Sequence, residues 1–406
     1  MNLAKKGMQY FHENGFILTA KKTLNKCYRI VKNIPLRVAE KLIANSKIKE
    51  LHELTKGKKA YIFIPCIDWQ IPLYQRPHQM AWELSTRENS VVFFVSDQYK
   101  YDGFCFDKKI EENLYLYSIP VVKHLNEILC GCEEITVIMM WTRQASLLGK
   151  IKYDKLIYDY VDDLTLFYYC DEEMVRTHEE LMRTADLTVV TADRLYESAK
   201  PYARNLLLSE NAGDYHFFSQ SKGCAVNPLI APYLSKYERV LGYYGSLARW
   251  FDYEVILHVA RMREDWLFIL VGHLFDETAR QALADKPDNI LCIPAQPYKN
   301  LPSFLTAFDI ALVPFVINDI TLATSPVKIF EYMAGGKPVL SSNLPECKKY
   351  KSVFRYQDKD DFIIQAEEIF SLSKEKEYLA LLNKEARENN WATRIDSILK
   401  KCEEVS

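Results

Sequence analysis

A lysine and a glutamate three residues apart, Lys328 and Glu331, sit in T-S-P-V-K-I-F-E-Y-M-A-G-G-K-P-V-L-S-S, residues 324–342. Residues at this spacing share one face of a helix. Ser is a favoured N-cap and Pro a favoured first helical residue. The letters therefore predict a helix that starts at Ser325 and Pro326, stops at Gly335 and Gly336, and passes into a buried strand. One cation and one carboxylate then stand beside a helix N-terminus, whose free N–H groups and dipole attract anions. A nucleotide diphosphate would engage all of them. The helix end at Thr324 and Ser325, with Lys328, would take the phosphate charge, and Glu331 would accept from ribose hydroxyls. An ordinary amphipathic helix with a chance Lys/Glu pair spells the same letters, so the rest of the chain has to decide.

A second group lies in G-Y-Y-G-S-L-A-R-W-F-D, residues 242–252. Gly245 and Ser246 fall at a strand-to-helix turn, where a missing side chain lets backbone N–H groups approach phosphate oxygens. Arg249, four residues on, offers a guanidinium fork suited to phosphate. A routine turn and a solvated surface arginine are the plain alternatives. In D-Y-V-D-D, residues 159–163, Asp162 and Asp163 should project from the end of a strand, at the sheet edge where such folds bind ligands. There they could orient an acceptor hydroxyl; helix capping or loop solvation is the competing reading. Q-R-P-H-Q, residues 75–79, opens a helix and brings Arg76 and His78 toward the presumed cleft, although a lone histidine is more often structural. Arg143, in W-T-R, ends another strand. Ten scattered cysteines, of which only Cys130 and Cys132 are close, make poor zinc spacing and suit reduced thiols in a cytoplasm. No metal site and no resident cofactor are expected.

These residues need a scaffold, and 406 residues suggest about two domains plus extensions. With 49% hydrophobic and 26% charged residues the composition is globular, and no apolar run reaches the roughly 18 residues of a membrane span. No signal peptide is read at the start. Short apolar runs at Tyr61–Ile67, Val91–Ser96, Leu114–Ile119, Thr136–Trp141, Lys155–Asp159, Leu187–Thr191 and Asn205–Leu208 alternate with helical patterns such as Arg76–Ser85 and Glu172–Arg183. Continuous apolar strands separated by helices predict a parallel sheet covered on both faces. A proline-containing stretch, Ser221–Lys236, reads as the interdomain linker. A second alternation follows, from strand Val240–Tyr244 to helix Asp360–Phe370, and then a helical tail. The expected architecture is α/β: two Rossmann-like domains facing a cleft, over residues 57–222 and 223–380. A basic helical extension (1–56) precedes them, and a C-terminal helix (381–406) crosses back to the first domain.

Charge is uneven. Residues 1–59 hold fourteen Lys and Arg against four Asp and Glu, about +10, while the whole chain has a net charge of −2. Apolar residues such as Phe11, Phe16, Leu24 and Tyr28 interleave with the cations. Basic amphipathic helices favour anionic membranes, so residues 1–55 are expected to bind an anionic membrane surface. A solvated extension, or one packed on the body, is the alternative. Nucleic acid is not expected, because the body is acidic and carries no nucleic-acid motif.

Two Rossmann-like halves with diphosphate signals in the second resemble a GT-B glycosyltransferase, and more narrowly the GT4-type retaining enzymes of bacterial surface-polysaccharide assembly. The likeness rests on residues 242–252, on D-I-A-L-V-P-F at 309–315, on K-I-F-E-Y-M-A-G-G-K-P-V, and on S-E-N-A-G-D-Y-H-F-F at 209–218. It spans roughly residues 60–395. It implies transfer of a sugar from a nucleotide-diphosphate-sugar to a glycan or lipid-linked glycan acceptor, at the inner face of the cell membrane. It also implies a metal-independent, retaining front-face displacement, in which the departing phosphate helps take the acceptor proton. On it, Lys328 and Arg249 hold the diphosphate and Glu331 the ribose. The family's first glutamate, eight residues before the second, falls on Ala323, with Asn318, Asp319, Thr321 and Thr324 as nearby polar substitutes. A nucleotide-sugar epimerase on the same fold, or a catalytically silent GT-B-like scaffold, are the rival readings.

Overall fold

A computed structural model describes residues 45–71, 74–96, 107–166 and 169–405. Most of the basic extension, residues 1–44, lies outside them. Residues 45–55 form a helix that belongs to the first domain rather than to a detached arm. Leu51 is 1% exposed in that domain's core, and the Thr55 hydroxyl donates to Ile128 O at 2.8 Å.

The first sheet contains β1 (Lys59–Ile64), β2 (Ser90–Ser96), β3 (Asp107–Glu111), β4 (Leu114–Ser118), β5 (Glu134–Met139), β6 (Lys155–Tyr160), β7 (Leu187–Val190) and β8 (Leu206–Leu208). Their order is β3-β4-β2-β1-β5-β6-β7-β8, parallel except for the antiparallel β3–β4 pair. The central strands β1, β2 and β5 are apolar along most of their length because helices cover both faces. β3, D-K-K-I-E, is absent from the sequence-based expectation. A charged run at a sheet edge has no apolar signature, and edge charge discourages pairing with other chains.

The second sheet contains β9 (Arg239–Tyr244), β10 (Trp266–Val271), β11 (Ile290–Ile293), β12 (Ile310–Val313), β13 (Val339–Ser342) and β14 (Val353–Tyr356). It is wholly parallel in the order β11-β10-β9-β12-β13-β14. Each sheet therefore reverses its winding once, beside β1 in the first and beside β9 in the second. Segments leaving the C-terminal ends of strands at such a point splay apart and leave a crevice. The two crevices face each other.

The chain crosses between lobes earlier than the expected Ser221–Lys236 linker. Phe218 and Ile230 are fully buried in the second lobe's core, so the crossing lies between Leu208 and Tyr215, and the proline-rich stretch packs on the second lobe. The final helix, Trp391–Val405, returns to the first lobe and buries Trp391, Ile395, Ile398 and Cys402 against Tyr61, Phe63 and Met80. Polar ties also join the lobes. Asp193 N donates to Glu346 Oε1 at 2.9 Å, and Lys349 reaches both Asp193 and Glu210.

Candidate active site in the cleft between the lobes

A cavity of about 580 Å³ lies between the two crevices. Gly245, Ser246, Lys328 and Glu331 line it from the second lobe; Arg76, Tyr160 and Asp162 line it from the first. A space of this size suits a small-molecule ligand.

Gly245 follows β9 with φ +146°, a conformation that side-chain-bearing residues avoid. A Cβ there would lie 2.2 Å from Lys328 Cε, so the glycine makes room for the lysine. At Gly272, after β10, a Cβ would lie 1.8 Å from Gly245 O, which lets the two turns nest. The expected amide role for Gly245 does not hold, because its N–H continues the sheet by donating to Val271 O at 2.9 Å. Gly245 contributes space instead.

The helix Val327–Ala334 opens on the cleft, with Pro326, Val327 and Lys328 lining it. Its N-cap is Pro326, and Ser325 lies one position earlier than a first-turn cap requires. Ser325 instead fastens the lobes: Asn211 N donates to its Oγ at 3.1 Å and Asn211 Nδ2 to its carbonyl at 2.8 Å. Thr324 lines the cleft beside it, with its hydroxyl donating to Ile320 O.

Lys328 Nζ stands 5.6 Å from the Tyr243 ring centroid. Burial lowers its pKa, and the nearby Glu331 partly opposes that. Glu331 is 4% exposed. Burial lifts its pKa to about 7, against the opposing pull of Lys328, Tyr244 and Tyr298. Tyr298 donates to Glu331 Oε1 at 3.3 Å. A buried carboxylate and a half-buried lysine on one helix, both lining the same cavity, set two ionisable groups of opposite sign side by side on its wall.

The remaining candidates separate. Asp162 is exposed at the cavity wall, and desolvation by the protein around it raises its pKa. Asp163 turns into its own loop, where Oδ1 accepts from Thr165 N at 3.1 Å and from the Thr165 hydroxyl at 2.7 Å. His78 does not face the cleft. It is 1% exposed among Trp69, Tyr74 and Phe94, with Nδ1 accepting from Gln75 N and Nε2 against Trp69 O. Both ring nitrogens are spent on backbone, so neither is free to exchange a proton with a ligand in the cleft. Arg249 is exposed and absent from the lining, and its backbone N–H donates to Asp276 Oδ2 at 2.8 Å. Arg143 pairs with Asp171 on the surface. Arg76 does line the cleft, but a buried bidentate pair with Asp159, at 2.8 and 2.9 Å, and a bond to Asn211 hold it.

Ala323 is 3% exposed and packs with the first lobe's core. Of the polar neighbours expected to substitute there, Thr321 and Thr324 line the cavity, whereas Asn318 and Asp319 are absent from its lining. Asn318 caps a short helix, Asp319 pairs with Arg194 at 2.9 Å, and Thr321 donates to Val316 O. Sequence reasoning missed Tyr298, Gln79 and Gly272. Tyr298 is one of 26 tyrosines, and nothing local marks it. Gln79 was in view within Q-R-P-H-Q, but its partner is 219 positions away. Among the described residues no group of three or more His, Cys, Asp or Glu side chains is placed to hold a metal ion, and no helix is long and apolar enough to cross a membrane.

Residues 238–371 match the family model of glycosyl transferases group 1. The matched span runs from the start of the second sheet into the helix Lys359–Leu372, so the likeness to group 1 glycosyl transferases lies in the second lobe. Over 198 residues the chain is 29% identical to TuaH of Bacillus subtilis (strain 168), whose name assigns it to teichuronic acid biosynthesis as a glycosyltransferase. That alignment takes in 47% of this chain and spans about half, 49%, of the relative. Among solved structures, sucrose-phosphate synthase from Thermosynechococcus elongatus superposes with a TM-score of 0.62 at 12% identity, over 86% of this chain and 99% of its own. Anabaena HepE in complex with UDP and glucose gives 0.58 at 14% identity, over 86% and 99%. An E. coli trehalose-6-phosphate protein bound with UDP-2-fluoro glucose gives 0.66 at 10% identity, over 86% and 100%. The fold is GT-B, with two Rossmann-like lobes.

Proposed function

We propose that this protein transfers a sugar from a nucleotide-diphosphate-sugar to a glycan acceptor in surface-polysaccharide assembly. One observation carries the reading: Lys328, Glu331 and the Gly245 turn, from two separate segments, meet in one cavity at the crevices of both lobes. Lys328 and the open end of its helix stabilise the diphosphate as the glycosidic bond breaks, a form of preorganised electrostatic catalysis that works without a metal. Glu331 accepts from the ribose. Asp162, across the cavity, orients the acceptor hydroxyl. Retention follows from a front-face displacement in which the departing phosphate takes the acceptor proton, so no protein nucleophile is assigned. The acceptor is lipid-linked, and the basic residues before the packed helix 45–55 hold the cleft near the inner leaflet.

UDP-sugars are the first donors to test, because two of the structural relatives are bound to uridine nucleotides. A thermal-shift screen of UDP-, GDP- and dTDP-sugars identifies the base, since a ligand bound only by the folded state raises apparent stability. Transfer is then measured with and without a glycan acceptor. Donor consumption without acceptor supports an epimerase. Donor binding with no turnover in either arm supports a silent scaffold, the reading that Ala323 favours.

A further inference from the structure

Tyr298, at the start of the turn Tyr298–Asn300 that follows β11, touches both lobes. Its ring lies 4.8 Å from that of Tyr74 in the first lobe, and stacks on Phe217 at 5.2 Å with an interplanar angle of 12°. Gln79 Nε2, from the first lobe, donates to its hydroxyl at 2.8 Å. An amide nitrogen can only donate, so the Tyr298 oxygen is the acceptor there and keeps its own proton for another partner. That partner is Glu331 Oε1, 3.3 Å away. Gln79 is itself well fixed. It is 5% exposed on the helix Arg76–Ser85, whose first residue is locked to Asp159. A three-member hydrogen-bonded line thus runs from the first lobe's framework into the cavity of the second.

We propose that Tyr298 is a positioning residue for the donor: Gln79 aims its hydroxyl, and the hydroxyl holds the Glu331 carboxylate ready for the ribose. This rests on the reading above that Glu331 meets the ribose. Contact between the lobes is thereby converted into donor affinity, because separating them removes Gln79 and frees the tyrosine to turn. The groups facing Glu331 are Lys328 on its own helix, Tyr244 from β9, Asp214 from the interlobe crossing, and Tyr298. Lys328, Tyr244 and Tyr298 favour its charged form and Asp214 opposes it. Removing the Tyr298 hydroxyl therefore makes Glu331 harder to ionise.

The test is calorimetric titration of UDP and of inorganic pyrophosphate into the full chain and its Tyr298→Phe, Gln79→Leu and Lys328→Met variants, from pH 5.5 to 8.5. GDP or dTDP replaces UDP if the thermal-shift screen selects another base. Tyr298→Phe is expected to weaken the nucleotide roughly tenfold near neutral pH, the scale of one hydrogen bond to a charged group. It is also expected to move the acid limb of affinity to higher pH and to leave pyrophosphate binding unchanged. Gln79→Leu moves the same limb in the same direction by less. An unmoved pH limb and unchanged nucleotide affinity in Tyr298→Phe, with only a lower melting temperature, overturn the inference. Equal losses for nucleotide and pyrophosphate also overturn it. Lys328→Met separates the two levels of argument. Full nucleotide affinity in that variant removes the site reading itself, whereas lost affinity there with no effect at Tyr298 removes this inference alone.

Discussion

The Lys328 side chain lies against the Cα of Gly245, so close that a Cβ on residue 245 would sit 2.2 Å from Lys328 Cε and 2.8 Å from Nζ. The cation and the turn after β9 form one surface although 83 positions separate them in sequence. Gly245→Ala should therefore act twice, by straining a backbone at φ +146° and by displacing the ammonium. We expect at least tenfold weaker nucleotide binding, read by calorimetry, with a cooperative melt retained. Unchanged affinity in a folded variant would count against the shared surface.

Lys328→Met keeps the stem's volume and removes the charge. Transfer should fall by about two to three orders of magnitude, the range seen when a preorganised stabilising group is lost. Because the phosphate charge is assigned to Lys328 and the helix end, nucleotide binding should survive EDTA. Binding lost on chelation and restored by manganese would falsify the metal-independent reading.

Glu331 has a folded pKa near 7, raised above its unfolded value by burial. Two opposite pH effects follow. Ribose hydroxyls are held by the ionised form, so donor affinity should rise as pH passes through about 7. Stability runs the other way: the group's contribution is fully present below the unfolded pKa and is lost as pH rises through the folded one. Glu331→Gln should thus gain melting temperature relative to wild type between pH 5.5 and 8 in the absence of ligand, while losing nucleotide affinity. A difference in melting temperature that is flat with pH would remove the linkage.

Asp162 and Asp163 are neighbours with different fates. Asp162→Asn should lower the transfer rate by about tenfold or more, with donor affinity intact, because the carboxylate faces the cavity. Asp163→Asn alters a loop bond to Thr165 and should change melting temperature by a few degrees without changing turnover. Equal effects on rate would place both in the loop.

The membrane expectation needs a deletion that spares the packed helix at residues 45–55. Residues 1–44 carry nine Lys and Arg against two Glu. Removing residues 1–40 should abolish sedimentation with vesicles containing phosphatidylserine while leaving the melting temperature unchanged. Persistent vesicle binding would assign the membrane contact to the body.

Local letters alone determined the alternation of strands and helices, because continuous apolar runs and 3.6-residue patterns are local consequences of two-sided burial. They also marked the Lys328/Glu331 helix, whose proline, spacing and terminal glycines lie within a dozen positions. What a side chain meets across the fold was not legible there. His78, at a helix opening, and Asp162, at a strand end, both read as polar residues near the cleft, yet Trp69 and Gln75 consume the histidine while the cavity leaves the aspartate open. Arg249 read as a phosphate cation until the turn after β9 pointed it outward. Gln79, Tyr298 and Glu331 acquire their relation only when the two lobes face each other, since hydrogen bonds depend on separations of about 3 Å in space and are indifferent to separation along the chain.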